Sequence, residues 1–337
     1  MRHRFRRRLA RSWIWIFSAC VLAIGCSRTG ESQTDVVRIG YQKTGTLNLL
    51  RLRGTLTPDL ARLGVRVEWI GFPAGPQLIE ALNAGAIDFG HTGDAPPILA
   101  QAAGVPFVYV GHEPSRPHSE AVIVPAGSSL RTPADLRGKR VALNKGSNVH
   151  YLLARVLESA GVPYDEVQTV FLAPSDARAA FEGGSVDAWA VWDPYLAEAE
   201  VHAGARVLFD AAQLVANREF HLASRQFSHT CPDAIRTIIT ALKREGQWAV
   251  DHRNEVATIL AAELGLEAAV MERVISRKVF GIAPISDEVL AEQQRIADVF
   301  RELRLIPAPI VVREAFVPGL ADSEPVHETA VPDVAVK

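Results

Sequence analysis

Apolar and polar residues follow two different spacings along this chain, and the two spacings take turns. Segments with alternating apolar residues and many β-branched or aromatic side chains predict strands, whereas apolar residues three and four positions apart predict helices. Between residues 36 and 112, the pattern predicts strands over 36–42, 65–72, 86–93 and 106–112. Helices are predicted over 47–63, 76–85 and 96–103.

The same alternation restarts after an apolar strand over 120–127, which we interpret as a crossing to a second lobe. From 139 to 193 the pattern is strand, helix, strand, helix and strand, and Val149, Leu152 and Val156 share one face of the first helix. A return to the first lobe is predicted near 218–227, followed by mainly helical segments. This order predicts an α/β fold of two lobes, each a mainly parallel sheet flanked by helices.

One short pattern occurs twice, 99 positions apart: LNAGAIDFGHTGD (82–94) and FEGGSVDAWAVWD (181–193). Each stretch holds a glycine, an aspartate three residues later and a second aspartate six residues after that. Both end where a predicted strand reaches its carboxyl end, the edge at which open α/β sheets bind ligands. We interpret the repeat as two walls of a cleft. The alternative is that helix–strand turns favour Gly-x-x-Asp for structural reasons.

The first 25 residues have a different character. MRHRFRRRLARS contains six arginines and no acidic residue, and the apolar run WIWIFSACVLAIG follows it. This order is typical of a secretory signal peptide (1–25), with a transmembrane anchor as the alternative. The run ends in LAIGC, which resembles a bacterial lipobox and predicts lipidation of Cys26; simple cleavage and periplasmic release is the second reading. Residues 26–35 form a predicted polar tether.

Composition excludes several classes of protein. The chain is 48% hydrophobic and 22% charged, as expected of a globular protein. Without the six signal arginines it carries 30 basic and 38 acidic residues, a net charge of −8 that argues against nucleic-acid binding. It contains no P-loop, no Gly-x-Gly-x-x-Gly after a strand, and no His-Glu-x-x-His, Cys-x-x-Cys or Gly-x-Ser-x-Gly. We therefore predict no cofactor, no metal and no catalytic residues.

Three loops join a strand end to a helix start and are rich in small polar residues: QKTGT (42–46), HTGD (91–94) and KGSN (145–148). Unpaired N–H groups at helix starts attract anions. Side-chain donors in these loops make candidate ligand contacts of Thr46, Thr92, Ser147 and Asn148. The structural alternative is that Ser147 and Asn148 cap the following helix.

The second aspartate of each repeat invites its own interpretation. Asp193 precedes Pro194, the order of a helix N-cap followed by a proline at the first helical position. Asp94 is followed by prolines at 96 and 97, which lack the N–H groups that a capping side chain needs. Asp94 is therefore expected to hold its loop, bridge the lobes or meet a cationic part of a ligand. Trp192 is expected in the cleft and Trp189 in the core.

Four longer stretches carry a family resemblance: IGYQKTGTLNLL, FPAGPQLIEALNAGAIDFGHTGDAPPILAQAAG, DLRGKRVALNKGSNVHYLL and APSDARAAFEGGSVDAWAVWDPY. Over about 36–309 the chain is similar to the periplasmic aliphatic sulfonate-binding proteins, the substrate-capturing components of ABC importers. One departure is QKTGTLN, which has one residue more than related sequences often have, so the contacts of that loop stay open.

The resemblance implies a type II periplasmic binding protein fold, with two hinge strands and lobes that close over the ligand. It implies a monomer that delivers aliphatic sulfonates to a permease in the cytoplasmic membrane for sulfur acquisition. Relatives on this scaffold take taurine, nitrate or other small anions, and some are enzymes, so these remain alternatives. The implied contact residues are Gln42, Thr46, Thr92, Gly93, Ser147 and Asn148, with Trp192 and Asp193 on the other wall.

We place lobe 1 at 36–122 and 222–313 and lobe 2 at 123–221. The segment 314–337, rich in proline, valine and acidic residues, is expected to be disordered. Because a sulfonate stays charged and accepts no proton, neutral donors suit it, and Thr92 and Ser147 are each expected to contribute a hydrogen bond. Only histidine normally titrates between about pH 5.5 and 8, so the affinity is expected to be nearly constant over that range.

Overall fold

A computed structural model describes residues 36–210 and 212–320 of the chain. The predicted signal peptide, the tether with Cys26 and residues 321–337 lie outside the described residues. The described strands are β1 (Val36–Tyr41), β2 (Arg66–Gly71), β3 (Phe89–Gly93), β4 (Phe107–His112), β5 (Glu120–Val124), β6 (Arg140–Leu143), β7 (Gln168–Phe171), β8 (Ala188–Trp192), β9 (Arg206–Asp210) and β10 (Glu219–Ser224).

The α-helices of the same residues are α1 (Thr46–Arg53), α2 (Thr57–Ala61), α3 (Gly75–Asn83), α4 (Ala95–Ala102), α5 (Asn148–Ser159), α6 (Pro174–Glu182), α7 (Tyr195–His202), α8 (Arg225–Thr230), α9 (Pro232–Asp251), α10 (Arg253–Leu264), α11 (Ala268–Arg277) and α12 (Asp287–Glu302). None of these helices is long and apolar enough to cross a membrane.

The strands form two sheets of the same design, in the orders β2-β1-β3-β10-β4 and β7-β6-β8-β5-β9. In the first sheet, β1 pairs in parallel with β2 and β3, and β10 runs antiparallel to β3 and β4. In the second, β6 pairs in parallel with β7 and β8, and β5 runs antiparallel to β8 and β9. The predicted α/β fold with two mainly parallel sheets is confirmed. We call each sheet with its helices the first and the second lobe.

Two segments outside the strands connect the lobes. Segment 113–119 leads from β4 of the first sheet to β5 of the second, and 212–218 leads to β10 of the first. β5 and β10 are the strands that the sequence marks as crossings, and each pairs on both sides within one sheet. The first sheet is therefore built from 36–112 and 219–224, and the second from 120–210.

Local patterns explain most helices, and one prediction is wrong. The predicted buried face of α5 is confirmed, since Val149, Leu152 and Val156 are all fully buried. The single helix predicted over 47–63 is in fact α1 and α2. Gly54 ends α1 in the left-handed conformation with φ of 68°, which only glycine adopts without strain.

The repeated Gly-x-x-Asp pattern has the structural explanation that the sequence left open. Oδ2 of Asp88 accepts the backbone N–H of Arg38 at 2.9 Å, and Oδ2 of Asp187 accepts that of Arg140 at 2.8 Å. Each arginine also reaches the same carboxylate with its side chain, at 2.8 Å and 3.2 Å. The first half of the repeat therefore fastens the turn before β3 or β8 to the neighbouring strand.

The predicted disordered tail starts too early. Ala315 is buried and Phe316 forms an isolated β-bridge with Tyr109 of β4. Leu320 is also buried and belongs to an apolar cluster of the first lobe. Residues 314–320 thus pack against the first lobe because their apolar side chains have a surface to cover.

The two lobes are in contact beside the connections. Ile98 of α4, Val149 of α5 and Phe300 of α12 belong to one buried apolar cluster that draws on both sheets. A Cβ on Gly146 would lie 2.7 Å from Cδ1 of Leu99, so the glycine permits this close approach.

Candidate ligand-binding site

A cavity of about 730 Å³, with its open mouth included, lies where the two lobes meet. Loops that follow β1, β2, β3, β6 and β8 form most of its wall, and the two connections, the start of β10 and the end of α11 contribute the rest. Since β1, β3, β6 and β8 all end here, the cavity occupies the carboxyl edge of both sheets, where open α/β sheets bind ligands.

Seven of the nine contact residues proposed from the sequence line this cavity, and two do not. The lining residues are Gln42, Thr92, Gly93, Ser147, Asn148, Trp192 and Asp193. Thr46 and Asp94 are outside the lining. The second aspartates of the repeated pattern therefore differ in position: Asp193 borders the cavity, whereas Asp94 does not.

Thr46 is directed into the first lobe instead. It is the first residue of α1, it is 2% exposed, and its Oγ1 donates to Oε1 of Glu113 at 2.5 Å. Thr44 borders the cavity in its place. The residue at which α1 begins decides which side chains of this loop face the cavity. The sequence left that residue open, because QKTGTLN is one residue longer than the loop of related sequences often is.

Thr92 supplies a buried hydroxyl that no other group uses. It lies on β3, is fully buried, and its Oγ1 has no hydrogen-bond partner in the described structure. Gly75 makes room for it, because a Cβ there would lie 1.9 Å from Oγ1 of Thr92. An unsatisfied buried hydroxyl costs about 1–3 kcal/mol, so an acceptor placed in the cavity would relieve that cost.

Two other proposed donors are already committed to the protein. Nε2 of Gln42 donates to the backbone oxygen of His91 at 3.0 Å, and Oγ of Ser147 donates to that of Asn144 at 2.8 Å. Ser147 is the N-cap of α5 but makes no side-chain capping bond, so the capping alternative is not what the structure contains. What Ser147 offers the cavity is the start of α5, with the unpaired N–H groups of its first turn.

Asn148 joins parts of the two lobes. Its Nδ2 donates to Oε2 of Glu120 and lies 3.3 Å from Oδ1 of Asn217. It also packs against Gly93 of the first lobe, where a Cβ would lie 3.1 Å from the Cβ of Asn148. Both amide protons are therefore used, and the side chain holds Glu120 and Asn217 together at the edge of the cavity.

The cavity also contains two cations that the sequence analysis missed. Arg116 binds Glu219, and Nζ of Lys278 lies 3.2 Å from Oε2 of Glu113 and 3.7 Å from Oε2 of Glu219. Lys278 is only 2% exposed. Both residues come from irregular segments far apart in sequence, so no local pattern could bring them together.

The ion pairs decide the protonation of their partners. Burial alone would raise the pKa of Glu113, but the charge of Lys278 and the proximity of His221, whose Nε2 lies 3.8 Å from Oε1 of Glu113, outweigh it and hold the pKa well below its usual range. Burial is likewise outweighed at Glu219 by Arg116 and Lys278, so its pKa is also lowered. Both carboxyl groups are charged and neutralise the two cations.

His91 lies behind the cavity and is uncharged. Burial lowers its pKa to about 4, although the charge of Glu219 opposes the shift. The ring is fully buried, and a Cβ on Gly45 would lie 2.1 Å from its Nε2. Among the described residues, no three His, Cys, Asp or Glu side chains are placed to hold a metal ion.

Asp193 both fastens α7 and borders the cavity. The predicted capping position is wrong by one residue, because Pro194 is the N-cap of α7 and the helix begins at Tyr195. Oδ1 of Asp193 nevertheless accepts the N–H of Ala197 in the first turn at 3.1 Å, and it lies 3.2 Å from Nη1 of Arg277. Burial raises its pKa to about 7, against the opposing charge of Arg277. Its Oδ2 has no partner in the described part of the chain.

The mouth and one wall are aromatic. Trp192 is partly buried and lines the cavity, whereas Trp189 is 1% exposed and packs on Phe181. Nζ of Lys43, from the first lobe, lies 4.8 Å from the ring centre of Tyr195, from the second. This cation–π contact joins the two lobes at the wall of the cavity.

Asp94 faces a second cavity instead. It is the N-cap of α4 without a side-chain capping bond, as its prolines predict, and its backbone oxygen accepts Nε2 of Gln293 at 2.9 Å. The second cavity lies between α5, α12 and segment 212–218, and Tyr151 also lines it. Burial raises the pKa of Asp94 to about 7.

Comparison with known proteins places this architecture. The NMT1/THI5 like family matches residues 61–256. A protein of Escherichia coli (strain K12), named as an aliphatic sulfonates-binding protein, is 41% identical over 285 residues, which cover 84% of this chain and 89% of that protein.

Two solved structures are similar to this chain. The alkanesulfonate-binding protein SsuA from Xanthomonas axonopodis pv. citri, bound to MOPS, has 38% identity and a TM-score of 0.80, over 85% of this chain and 99% of the other. The periplasmic aliphatic sulphonate binding protein SsuA from Escherichia coli has 40% identity and a TM-score of 0.75, over 83% and 96%.

Proposed function

The chain belongs to the NMT1/THI5-like family and, within it, to the aliphatic sulfonate-binding proteins, and from this premise we propose that it captures alkanesulfonates and delivers them to an ABC importer. Its similar relatives are substrate-binding proteins, so its task is binding and not catalysis. The use of the captured sulfonate as a sulfur source is part of the same proposal.

The observation that carries the proposal is the uncommitted hydroxyl of Thr92 inside the cavity. A sulfonate presents three acceptor oxygens, carries one negative charge and takes no proton at physiological pH. The Thr92 hydroxyl and the N–H groups at the start of α5 are directional donors that need no protonation change to bind it. The partly buried ring of Trp192 offers an apolar surface to the alkyl tail.

A zwitterionic sulfonate such as taurine is the second candidate, and Asp193 is the reason. Its unpartnered Oδ2 borders the cavity and is an acceptor for an ammonium group. Isothermal titration of the ligand-free protein with ethanesulfonate, taurine, nitrate and sulfate separates the candidates. We expect ethanesulfonate to bind; tight binding of nitrate with no binding of either sulfonate would refute the proposal.

Ligand entry is expected to require the lobes to separate, because the contact between Lys43 and Tyr195 joins them at the wall of the cavity. The segments 113–119 and 212–218 are the proposed hinges, next to β5 and β10. Small-angle scattering is expected to give a smaller radius of gyration with ligand than without it. An unchanged radius at saturating ligand would contradict closure.

Periplasmic location and anchoring belong to the proposal as well. The basic segment, the apolar run and the LAIGC sequence support cleavage before Cys26 and its lipidation. Several acyl chains on one cysteine would hold the protein at a membrane, whereas one chain alone would not. Mass spectrometry of the mature N-terminus tests this, and a free N-terminus at any other residue would contradict it.

A further inference from the structure

The end of α11 carries two neighbouring cations, one directed to the second lobe and one to the first. Nη1 of Arg277 lies 3.2 Å from Oδ1 of Asp193, and its Nη2 donates to Oε2 of Glu200 on α7 at 2.5 Å. The next residue, Lys278, binds Glu113 at 3.2 Å, directly after β4 of the first sheet. Two adjacent side chains of one helix end therefore fasten the second lobe to the first.

α11 is anchored to the first lobe. Val274 of α11, Leu49 of α1 and Ala249 of α9 belong to one buried apolar cluster. Nη2 of Arg253, at the start of α10, donates to the backbone oxygen of Lys278 at 2.8 Å and holds the segment that follows the helix. When the lobes separate, α11 is therefore expected to stay with the first lobe and to lose its contacts with α7.

Ion pairs and an apolar contact join α7 to α11. Oε2 of Glu200 lies 3.1 Å from Nη1 of Arg273, one turn before Arg277. The side chains of Asp193 and Glu200 are 5% and 11% exposed, so water screens these pairs less than it screens surface pairs. Ala197 of α7 is fully buried in the same apolar cluster as α11. We call Asp193, Glu200, Arg273 and Arg277 the α7–α11 clamp.

The α7–α11 clamp lies next to the part of the cavity wall that the second lobe contributes. Residues 192–195 line the cavity and lead directly into α7. The backbone oxygen of Ser119 accepts the N–H of Asp193 at 2.9 Å, and the Ser119 hydroxyl donates to the backbone oxygen of Arg277 at 3.3 Å. Glu200 and Arg273 are outside the lining. They can therefore affect a ligand only through the position of this wall.

The other charged contacts of α7 do not duplicate the α7–α11 clamp. Glu198 of α7 binds Arg178 of α6, so this ion pair stays within the second lobe. Lys43 of the first lobe also reaches α7, but its partner there is the ring of Tyr195. Glu198 and Glu200 are thus two buried or nearly buried glutamates of one helix, and only the second binds across the lobes.

We propose that Glu200, Arg273 and Arg277 are positioning residues that hold the second lobe's part of the cavity wall against the first lobe while a ligand is bound. Their ion pairs form only when α7 lies against α11, so they stabilise the closed arrangement and slow the release of the ligand. Weakening them lowers the apparent affinity, because that affinity depends on the fraction of closed protein. This inference rests on the proposed function, since it requires a ligand to be held between the lobes.

The experiment compares the two glutamates by calorimetric titration with ethanesulfonate at pH 8, where Asp193 is charged because its pKa is about 7. Glu200→Gln removes the charge that binds α11 and is expected to weaken binding about three- to tenfold. Glu198→Gln is the matched control and is expected to change the affinity by less than about 1.5-fold, because it leaves the closed fraction unchanged. Arg273→Gln removes one of the two cations bound to Glu200 and is expected to weaken binding about twofold.

Two further readouts distinguish the α7–α11 clamp from a general loss of stability. In stopped-flow measurements of tryptophan fluorescence, Glu200→Gln is expected to release ethanesulfonate faster by the factor that its affinity falls, with the association rate within about twofold of the parent. The double variant of Glu200→Gln and Arg273→Gln is expected to lose no more affinity than Glu200→Gln alone, because the carboxylate that Arg273 binds is already absent.

Equal losses of affinity in Glu198→Gln and Glu200→Gln would overturn this inference, as would additive losses in the double variant. Unchanged affinity and release rate in Glu200→Gln would also overturn it; in each case the parent still binds ethanesulfonate, and the proposed function stands. If Glu200→Gln does not fold, Arg273→Gln decides the test by its release rate, since its side chain is 47% exposed. Failure of the parent to bind ethanesulfonate, taurine, nitrate and sulfate would overturn both.

Discussion

Replacing Thr92 by valine tests whether the buried hydroxyl serves the ligand and not the fold. Valine keeps the shape of threonine and removes only the hydroxyl, which has no partner in the described structure. No hydrogen bond of the free protein is lost. The free energy of unfolding is therefore expected to stay the same or to rise by about 1 kcal/mol, because an unsatisfied buried polar group disappears.

Binding should change in the opposite direction. A hydrogen bond to a charged group contributes about 1.5–3 kcal/mol, so Thr92→Val is expected to weaken ethanesulfonate binding by about tenfold to about 150-fold. The measurements are calorimetric titration for affinity and urea unfolding of the ligand-free protein for stability. If Thr92→Val is both less stable and weaker in binding, the hydroxyl of Thr92 serves the fold and the reasoning is refuted.

Ser147→Ala is the matched control, and the structure reverses the sequence-based expectation for it. The hydroxyl of Ser147 already donates to the oxygen of Asn144 at 2.8 Å. Its removal is expected to cost about 0.5–1.5 kcal/mol of stability and to change affinity by less than about threefold. If Ser147→Ala loses more affinity than Thr92→Val, the assignment of the anion's donors is refuted.

Three further predictions concern the surroundings of the cavity. Gly75→Ala would place a Cβ 1.9 Å from the Thr92 hydroxyl and is expected to lower ethanesulfonate affinity at least about tenfold and the free energy of unfolding by about 1–3 kcal/mol. Gly127→Ala is the control, because a Cβ there would have no atom within 4 Å, and it should change neither quantity in the same two assays. In urea unfolding, the free energy of unfolding of Asp94→Asn is expected to rise relative to that of the parent by about 1–3 kcal/mol between pH 5 and pH 8, because the folded parent binds more protons than the unfolded one and therefore loses stability as the pH rises to about 7. A difference between variant and parent that stays constant with pH would contradict the raised pKa of Asp94. Arg277→Met is expected to lower the free energy of unfolding in urea by about 1–3 kcal/mol at pH 8, because it leaves Asp193 without its cation, and by less at pH 5.5, where the carboxyl group of Asp193 is protonated. An equal loss of stability at the two pH values would contradict this prediction.

The sequence predicted those parts of the fold that depend on local spacing. Strand and helix periodicity placed both sheets, and the position of loops after strands placed Thr92 and Ser147 at the carboxyl edges of the two sheets, beside one cavity. It did not predict which donors are free, because that depends on where each hydroxyl proton goes. Ser147 turns to an oxygen three residues back, whereas Thr92 has no such partner.

The charged residues were missed for a different reason. Arg116 lies in the first connection and Lys278 directly after α11, in segments without periodicity and 162 positions apart in the sequence. Only the pairing of β10 beside β3 and β4 brings Glu219 between them. A contact that depends on strand order in a sheet leaves no pattern in the neighbouring sequence.

The repeat shows how structural and functional signals overlap in one stretch. The first aspartate of each copy, Asp88 or Asp187, fastens a turn to an arginine of the next strand. The second aspartates lie at the other end of the same strands, and there the copies diverge, since Asp193 borders the ligand cavity and Asp94 faces the second one. Shared spacing followed from a shared strand length, so it marked equivalent positions and not equivalent roles.

The charge balance of the cavity gives a physical basis for selecting a monoanion. Arg116 and Lys278 are already neutralised by Glu219 and Glu113, so an incoming anion gains directional hydrogen bonds, together with attraction to Lys43 beside the ring of Tyr195. The nearby carboxyl groups repel it in proportion to its charge, so a dianion such as sulfate is opposed about twice as strongly as a sulfonate of one charge. A sulfonate also brings an alkyl tail to the surface of Trp192, which sulfate and nitrate lack. If the proposed function holds, a preference for alkanesulfonates is expected from the fixed donors and the apolar surface of Trp192.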